Sequence, residues 1–253
     1  MNHEWLPQLW TTIPFIGLLL SIALLPLVAS KFWHHLKNQA LVVALFSVPV
    51  IYLCLANNPH LLYTGLEHYV SFVILLGSLF IISGGICITG DLTSTPLANT
   101  LMLGAGAVLA NFIGTTGASM VLIRPLLHAN NHRKHHVHIP IFFIMAVSNI
   151  GGLLTPLGDP PLFLGFLLGV PFFWTLRLTP AWVIALAILL AVFYAVDHWA
   201  FDHETRKQQT KARSDAPVTL RGLRNLSCLA AIIAATLYLQ APYREIVMIL
   251  AAL

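Results

Sequence analysis

The chain has 253 residues, of which 58% are apolar or aromatic (AVILMFWYC) and only 9% are Asp, Glu, Lys or Arg. A water-soluble globular domain carries about 25% charged residues, so this composition excludes a soluble protein and points to a chain that crosses a membrane repeatedly. The long apolar runs lack the alternation of a barrel strand, which leaves an all-α polytopic architecture with room for about seven or eight helical passes of roughly 20 residues.

The formal charge is +4. Six of the thirteen Lys and Arg residues (Arg206, Lys207, Lys211, Arg213, Arg221 and Arg224) fall in one polar stretch, residues 201–224. Basic loops stay in the cytoplasm, so this stretch reads as a cytoplasmic loop and not as a nucleic-acid surface. Cys54, Cys87 and Cys228 all lie in apolar segments without ligand spacing, so neither disulfides nor a zinc site is indicated.

A first span is expected from Trp10 to Ser30, with no Lys or Arg before it, which suits a retained helix better than a cleaved signal. A second covers Gln39 to Asn57 and a third about Leu66 to Gly90. Lys31 and Lys37 place the first connection inside, and Asn58 to Thr64, free of Lys and Arg, place the second outside. The N-terminus is therefore expected outside.

Residues 92 to 123 carry no charge but are interrupted by Pro96, Gly104, Gly106, Gly114 and Gly117. Two apolar pieces, Leu97 to Ile113 and Met120 to Leu127, flank a polar tip from Gly114 to Ser119. Each is short for a crossing, so a re-entrant hairpin over residues 97–130 is expected. From His135 to Leu176 the one charge is Asp159, within Thr155-Pro156-Leu157-Gly158-Asp159-Pro160-Pro161. Adjacent prolines and the glycines Gly151, Gly152 and Gly158 do not hold a regular helix, so residues 137–176 read as a broken helix. A further span is expected over Pro180 to Val196 and a last one over Asn225 to Gln240. The chain then ends after the apolar residues Ile246 to Leu253, so residues 1–253 read as a single transmembrane transporter domain that is C-terminally incomplete.

A helix broken inside lipid frees backbone groups that cost several kcal/mol each unless something polar meets them. Such breaks form ion and substrate sites in transporters, and an acid at membrane depth is a functional candidate by default. The candidate residues are Asn111, Thr115 and Thr116 at the tip, and Ser148, Asn149, Thr155, Gly158 and Asp159 at the break. The plainer readings are an N-cap for Asp159, ahead of Pro160, and inter-helix hydrogen bonding for the Ser, Thr and Asn residues. Arg124 either reaches for the membrane surface or partners an anionic substrate. His128, His132, His135, His136 and His138 lie in a loop without Cys or acidic partners, which argues against a metal site. Neither His-Glu-x-x-His nor Gly-x-Ser-x-Gly occurs.

The run from Gly114 through Arg124-Pro125, with Ser148-Asn149-Ile150-Gly151-Gly152, Thr155 to Pro161 and Gly169-Val170-Pro171-Phe172-Phe173-Trp174, resembles the citrate transporter and sodium/proton antiporter families of the ion transporter superfamily. The resemblance implies an inverted-repeat transporter with a re-entrant hairpin and a broken helix in each half, a homodimer working by an elevator-like movement. The tip and break residues named above would form one half of its site. Ala110 precedes Asn111, where related antiporters often have an acid.

The leading expectation is sodium/proton antiport in which both ions compete for Asp159, the alternative being sodium- or proton-coupled citrate uptake. An intramembrane enzyme and a non-transporting subunit are the readings from other classes. No enzyme activity and no cofactor is expected, and no metal beyond a sodium ion at Asp159. The expected partners are the lipid bilayer and a small ion or carboxylate, and the expected location is the inner (plasma) membrane.

Overall fold

The computed structural model describes residues 9–89, 93–206, 208, 210 and 219–253. Lys207, Lys211 and Arg213 of the basic loop and Gly90 of the third expected span lie outside the described residues. Regular structure among the described residues is helical except for one short ribbon. Among the described residues five helices are long and apolar enough to cross a membrane, by length and composition: Leu9–Val28, Leu36–Asn57, Pro59–Gly84, Pro96–Asn130 and Trp174–Asp202. Two more apolar helices, His138–Gly152 and Arg224–Tyr238, are shorter. The chain divides into two compact units, Met1–Tyr69 and Val70–Leu253.

In the first unit a 3-10 turn (Leu9–Thr12) leads into α1 (Ile13–Val28), followed by the short α2 (Ser30–Trp33) and α3 (Leu36–Asn57). α1 packs on α3. No described residue of α1 is buried, and in α3 only Val42 is. Helices apolar on all sides with nothing packed on most of their surface have the character of lipid-facing spans.

The third helix corrects the sequence-based boundaries, because α4 runs from Pro59 to Gly84 and not from Leu66 to Gly90. The expected external loop at Asn58 to Thr64 is therefore mostly helix. Asn58 Oδ1 accepts from the His60 N–H at 3.2 Å, and proline at the first helical position needs no hydrogen-bond partner. α4 leads into the second unit, where β1 (Cys87–Thr89) pairs antiparallel with β2 (Thr219–Arg221), Ile88 opposite Leu220.

α5 spans Pro96–Asn130, opened by Thr95, whose Oγ1 accepts from the Ala98 N–H at 3.3 Å. Its helical dihedrals fail at Gly114 (φ 76°, ψ 156°), a conformation that residues with a Cβ avoid. Drawn straight, the helix would separate Asn99 and Asn130 by about 46 Å. Instead their side-chain amides bond each other at 3.0 and 2.9 Å. α5 is therefore two antiparallel arms, residues 96–113 and 115–130, joined at a single glycine. Thr115 to Ser119, read from the sequence as part of a polar turn, belong to the helix of the second arm.

α6 (His138–Phe143) widens into a π-helical turn (Ile144–Asn149), tightens into a 3-10 turn (Ile150–Gly152), and loses regular structure before α7 (Pro160–Leu167). After a 3-10 turn (Trp174–Leu178) comes α8 (Thr179–Asp202), which continues six residues past the expected end at Val196. α9 (Leu223–Tyr238) and α10 (Tyr243–Ala252) complete the unit. Its core joins Leu79 of α4, Leu103, Ala107 and Ile113 of α5, Phe143 and Val147 beside the break, Phe163 of α7 and Phe193 of α8.

Candidate functional site

The first four N–H groups of a helix have no partner within it. The second arm of α5 begins at Thr115, and its N–H donates to the Gly158 carbonyl at 3.0 Å. Near the end of the first arm, Asn111 Nδ2 donates to the Ala107 carbonyl at 3.1 Å, and its Oδ1 accepts from the Leu154 N–H at 2.9 Å. Thr155 Oγ1 donates to the Asn111 carbonyl. The hairpin tip and the break are thus bonded directly, each supplying groups that the other's loss of helix left open.

Glycine makes this approach feasible. A Cβ on Gly152 would lie 2.6 Å from Thr115 Cγ2 and one on Gly151 3.0 Å from Ala107 Cα, while within the break itself a Cβ on Gly158 would lie 2.1 Å from the Gly152 carbonyl oxygen. Ser119 Oγ donates to the Thr115 carbonyl at 2.7 Å and lies 2.8 Å from Ser148 Oγ. With the Ser119 proton so engaged, Ser148 is the donor between the two hydroxyls.

Of the sequence-derived candidates, Asn111, Thr115, Thr155 and Gly158 come together, and Ser148 joins through Ser119. Thr116 is exposed and lines the adjoining cavity. Asn149 is exposed, its Nδ2 turned to the Ile144 carbonyl at 2.9 Å. Asp159 stands at the N-cap position of α7 with extended dihedrals, yet its side chain makes no capping bond. Arg124 is exposed on the second arm, ten residues beyond Gly114, about 15 Å along the helix.

A cavity of about 350 Å³ adjoins the tip, lined by Val73, Leu76, Gly77 and Phe80 of α4, by Gly114 to Gly117, and by Leu157, Gly158 and Pro160. Its volume is at the small end for ligand sites, and no basic side chain lines it. The second arm and α7 both begin at its wall, so two helix N-termini with partial positive charge meet there.

Sequence reasoning missed a second polar cluster, at the open end of the hairpin. Arg133 and Asp197 are fully buried as a two-pronged pair, Nη2 to Oδ1 at 2.6 Å and Nη1 to Oδ2 at 3.2 Å. Asn99 Nδ2 donates to Asp197 Oδ2 at 2.9 Å, and His138 Nε2 lies 2.8 Å from Oδ1. Arg133 Nη1 also donates to Asn130 Oδ1 and to the Ser94 carbonyl, at 3.1 and 3.2 Å. One signal was available: Asn99 and Asn130 lie 15 and 16 residues either side of Gly114, as partners across a hairpin must. Also missed were Arg244 and Glu245, buried and paired at 2.5 Å, with the guanidinium 5.8 and 5.9 Å from the Phe163 and Phe166 rings of α7.

Over residues 4–252 the chain matches the family described as putative citrate transport. No curated protein and no solved structure matches it.

Proposed function

Because the chain belongs to this citrate-transport family, whose members are membrane transporters and not enzymes, we propose that it carries out cation-coupled citrate transport at the junction of hairpin tip and helix break. The observation that supports this reading is the convergence of two helix N-termini on one small cavity beside Asp159. Helix N-termini attract carboxylates through the partial positive charge of the helix dipole. Asp159 supplies the negative charge for a sodium ion or proton, with the break's carbonyls as further ligands. Charge on substrate and cation would then compensate each other away from water, which couples their movements. In this reading the α5 hairpin enters and leaves the bilayer by one face of the inner membrane, the N-terminus lies outside, and two copies work as a dimer.

The test is reconstitution of the protein in liposomes with labelled citrate outside and an inward sodium or proton gradient. Citrate accumulation that follows one of these gradients is expected, and Asp159→Asn should abolish the dependence on it. Sodium–proton exchange that proceeds without citrate, lost in the same variant, would replace this reading with antiport at the same site.

A further inference from the structure

α8 touches both ends of the site. Near its start, Trp182 Nε1 donates to the Ile150 carbonyl at 2.7 Å, a carbonyl in the broken stretch where the regular helical ladder ends. Near its other end, Asp197 holds Arg133, Asn99 and His138, and with them the two arms of the hairpin at their open end. Fifteen residues separate the two positions, which in an α-helix is about 22 Å of rise and about 60° of rotation. Both side chains therefore leave from the same side of one rod. Between them α8 contains neither glycine nor proline, its one proline being Pro180 at the start, so it has no site for a hinge. The hairpin and the break, by contrast, each contain glycines in strained or crowded places.

We infer that α8 is a strut that fixes the spacing between the hairpin's open end and the break, with Asp197 and Trp182 as its positioning residues. The tip meets the break through a few neutral hydrogen bonds at Thr115, fifteen residues or about 23 Å along the second arm from Asn130. That register is set at the far ends: the base of the hairpin is pinned to one end of the rod and the break to the other. The consequence is energetic coupling between two places that do not touch. Sites this far apart are ordinarily independent, whereas a shared rigid element couples them and does so reciprocally. The inference rests on the transport reading only for its effect on citrate.

The experiment is amide hydrogen exchange on the full chain in lipid nanodiscs. The Thr115 and Leu154 amides bond across the tip and break, so their exchange reports that contact. In Asp197→Asn their exchange should rise about tenfold. In Trp182→Phe the rise should appear at the other end, in the amides of residues 130–133. The control is Ile232→Ala, a cavity variant in α9, with the comparison made under conditions where its loss of thermal stability equals that of the strut variants. It should leave both regions unchanged. Equal rises in the control, or no distant change in either strut variant, would overturn the inference. Should Asp197→Asn fail to fold, Trp182→Phe decides alone. In uptake, Trp182→Phe should raise the KM for citrate several-fold with kcat within about twofold. Absence of citrate uptake by the unaltered protein would remove the transport reading and leave the exchange data to decide the strut.

Discussion

At its tip the α5 hairpin meets the break through neutral groups, a backbone N–H, a carboxamide and a hydroxyl, brought close by glycines. At its open end the same two arms are held by a fully buried Arg133–Asp197 pair and a ring of amides. The contrast follows from what each end has to do. A neutral hydrogen bond nets only about 0.5–1.5 kcal/mol, so a tip made of them opens and closes at modest cost. A buried charge left without its partner costs far more, so the open end favours one arrangement.

The largest effect that tests this contrast is Arg133→Met, which leaves Asp197 charged and buried without its cation. A loss of about 3–5 kcal/mol is expected, read as a fall in thermal stability in detergent. The double variant Arg133→Met with Asp197→Leu removes both charges and should recover much of the loss. If the single and double variants are equally unstable, the open end is held by packing and not by charge. Next comes the tip. Gly158→Ala forces a methyl to within 2.1 Å of the Gly152 carbonyl, a backbone clash of about 1–3 kcal/mol. Its stability cost should be smaller than that of Arg133→Met while citrate uptake is lost, since the clash displaces Gly158, whose carbonyl accepts the Thr115 N–H of the tip. Retained uptake in this variant would mean that transport does not need the close contact.

The tip was far more legible in the sequence than the open end, for a physical reason. Gly114, Gly151-Gly152 and Gly158-Asp159-Pro160 punctuate the chain locally, because glycine and proline alter the backbone wherever they stand. The extent of the turn was misjudged: one residue with positive φ reverses the helix, so Thr115 to Ser119 stay helical where a polar loop was expected. The start of α4 was missed although Asn58-Pro59 is a helix-opening pair. The open end gave no signal beyond the matched spacing of Asn99 and Asn130 about Gly114. Asn99 and Asp197 are 98 residues apart, and nothing in an apolar span ending at Val196 says that the next residue turns inward to an arginine. Among the described residues five helices have the length and apolarity to cross a membrane, where the arithmetic left room for seven or eight passes, and one of the five, Pro96–Asn130, folds back at Gly114. Apolar length is shared out among hairpin arms and broken pieces as well as full spans.

The smallest expected effect lies just beyond α8, where Glu204 braces the loop that follows Arg133. Its Oε1 accepts from the His135 N–H at 2.8 Å. Burial pushes the Glu204 carboxyl up, but N–H donation from the His135 and Lys134 backbone and the positive charges of His135 and Arg133 outweigh it, holding the group below its ordinary value of 4.5. A carboxylate with a lowered pKa binds its proton less readily folded than unfolded, so it adds stability at pH values above 4.5, and that contribution is lost as the pH falls from there through the lowered value. Thermal stability measured from pH 7 to pH 3 should therefore decline in the acid limb, and Glu204→Gln should flatten the part of the decline that this group supplies. The substitution keeps an acceptor oxygen for the His135 N–H but has no charge to lose, so at pH 3 the variant and the unaltered protein should converge. A gap between them that persists at pH 3 would show that Glu204 acts through shape and hydrogen bonding alone, and the charged bracing of the hairpin's open end would stop at Asp197.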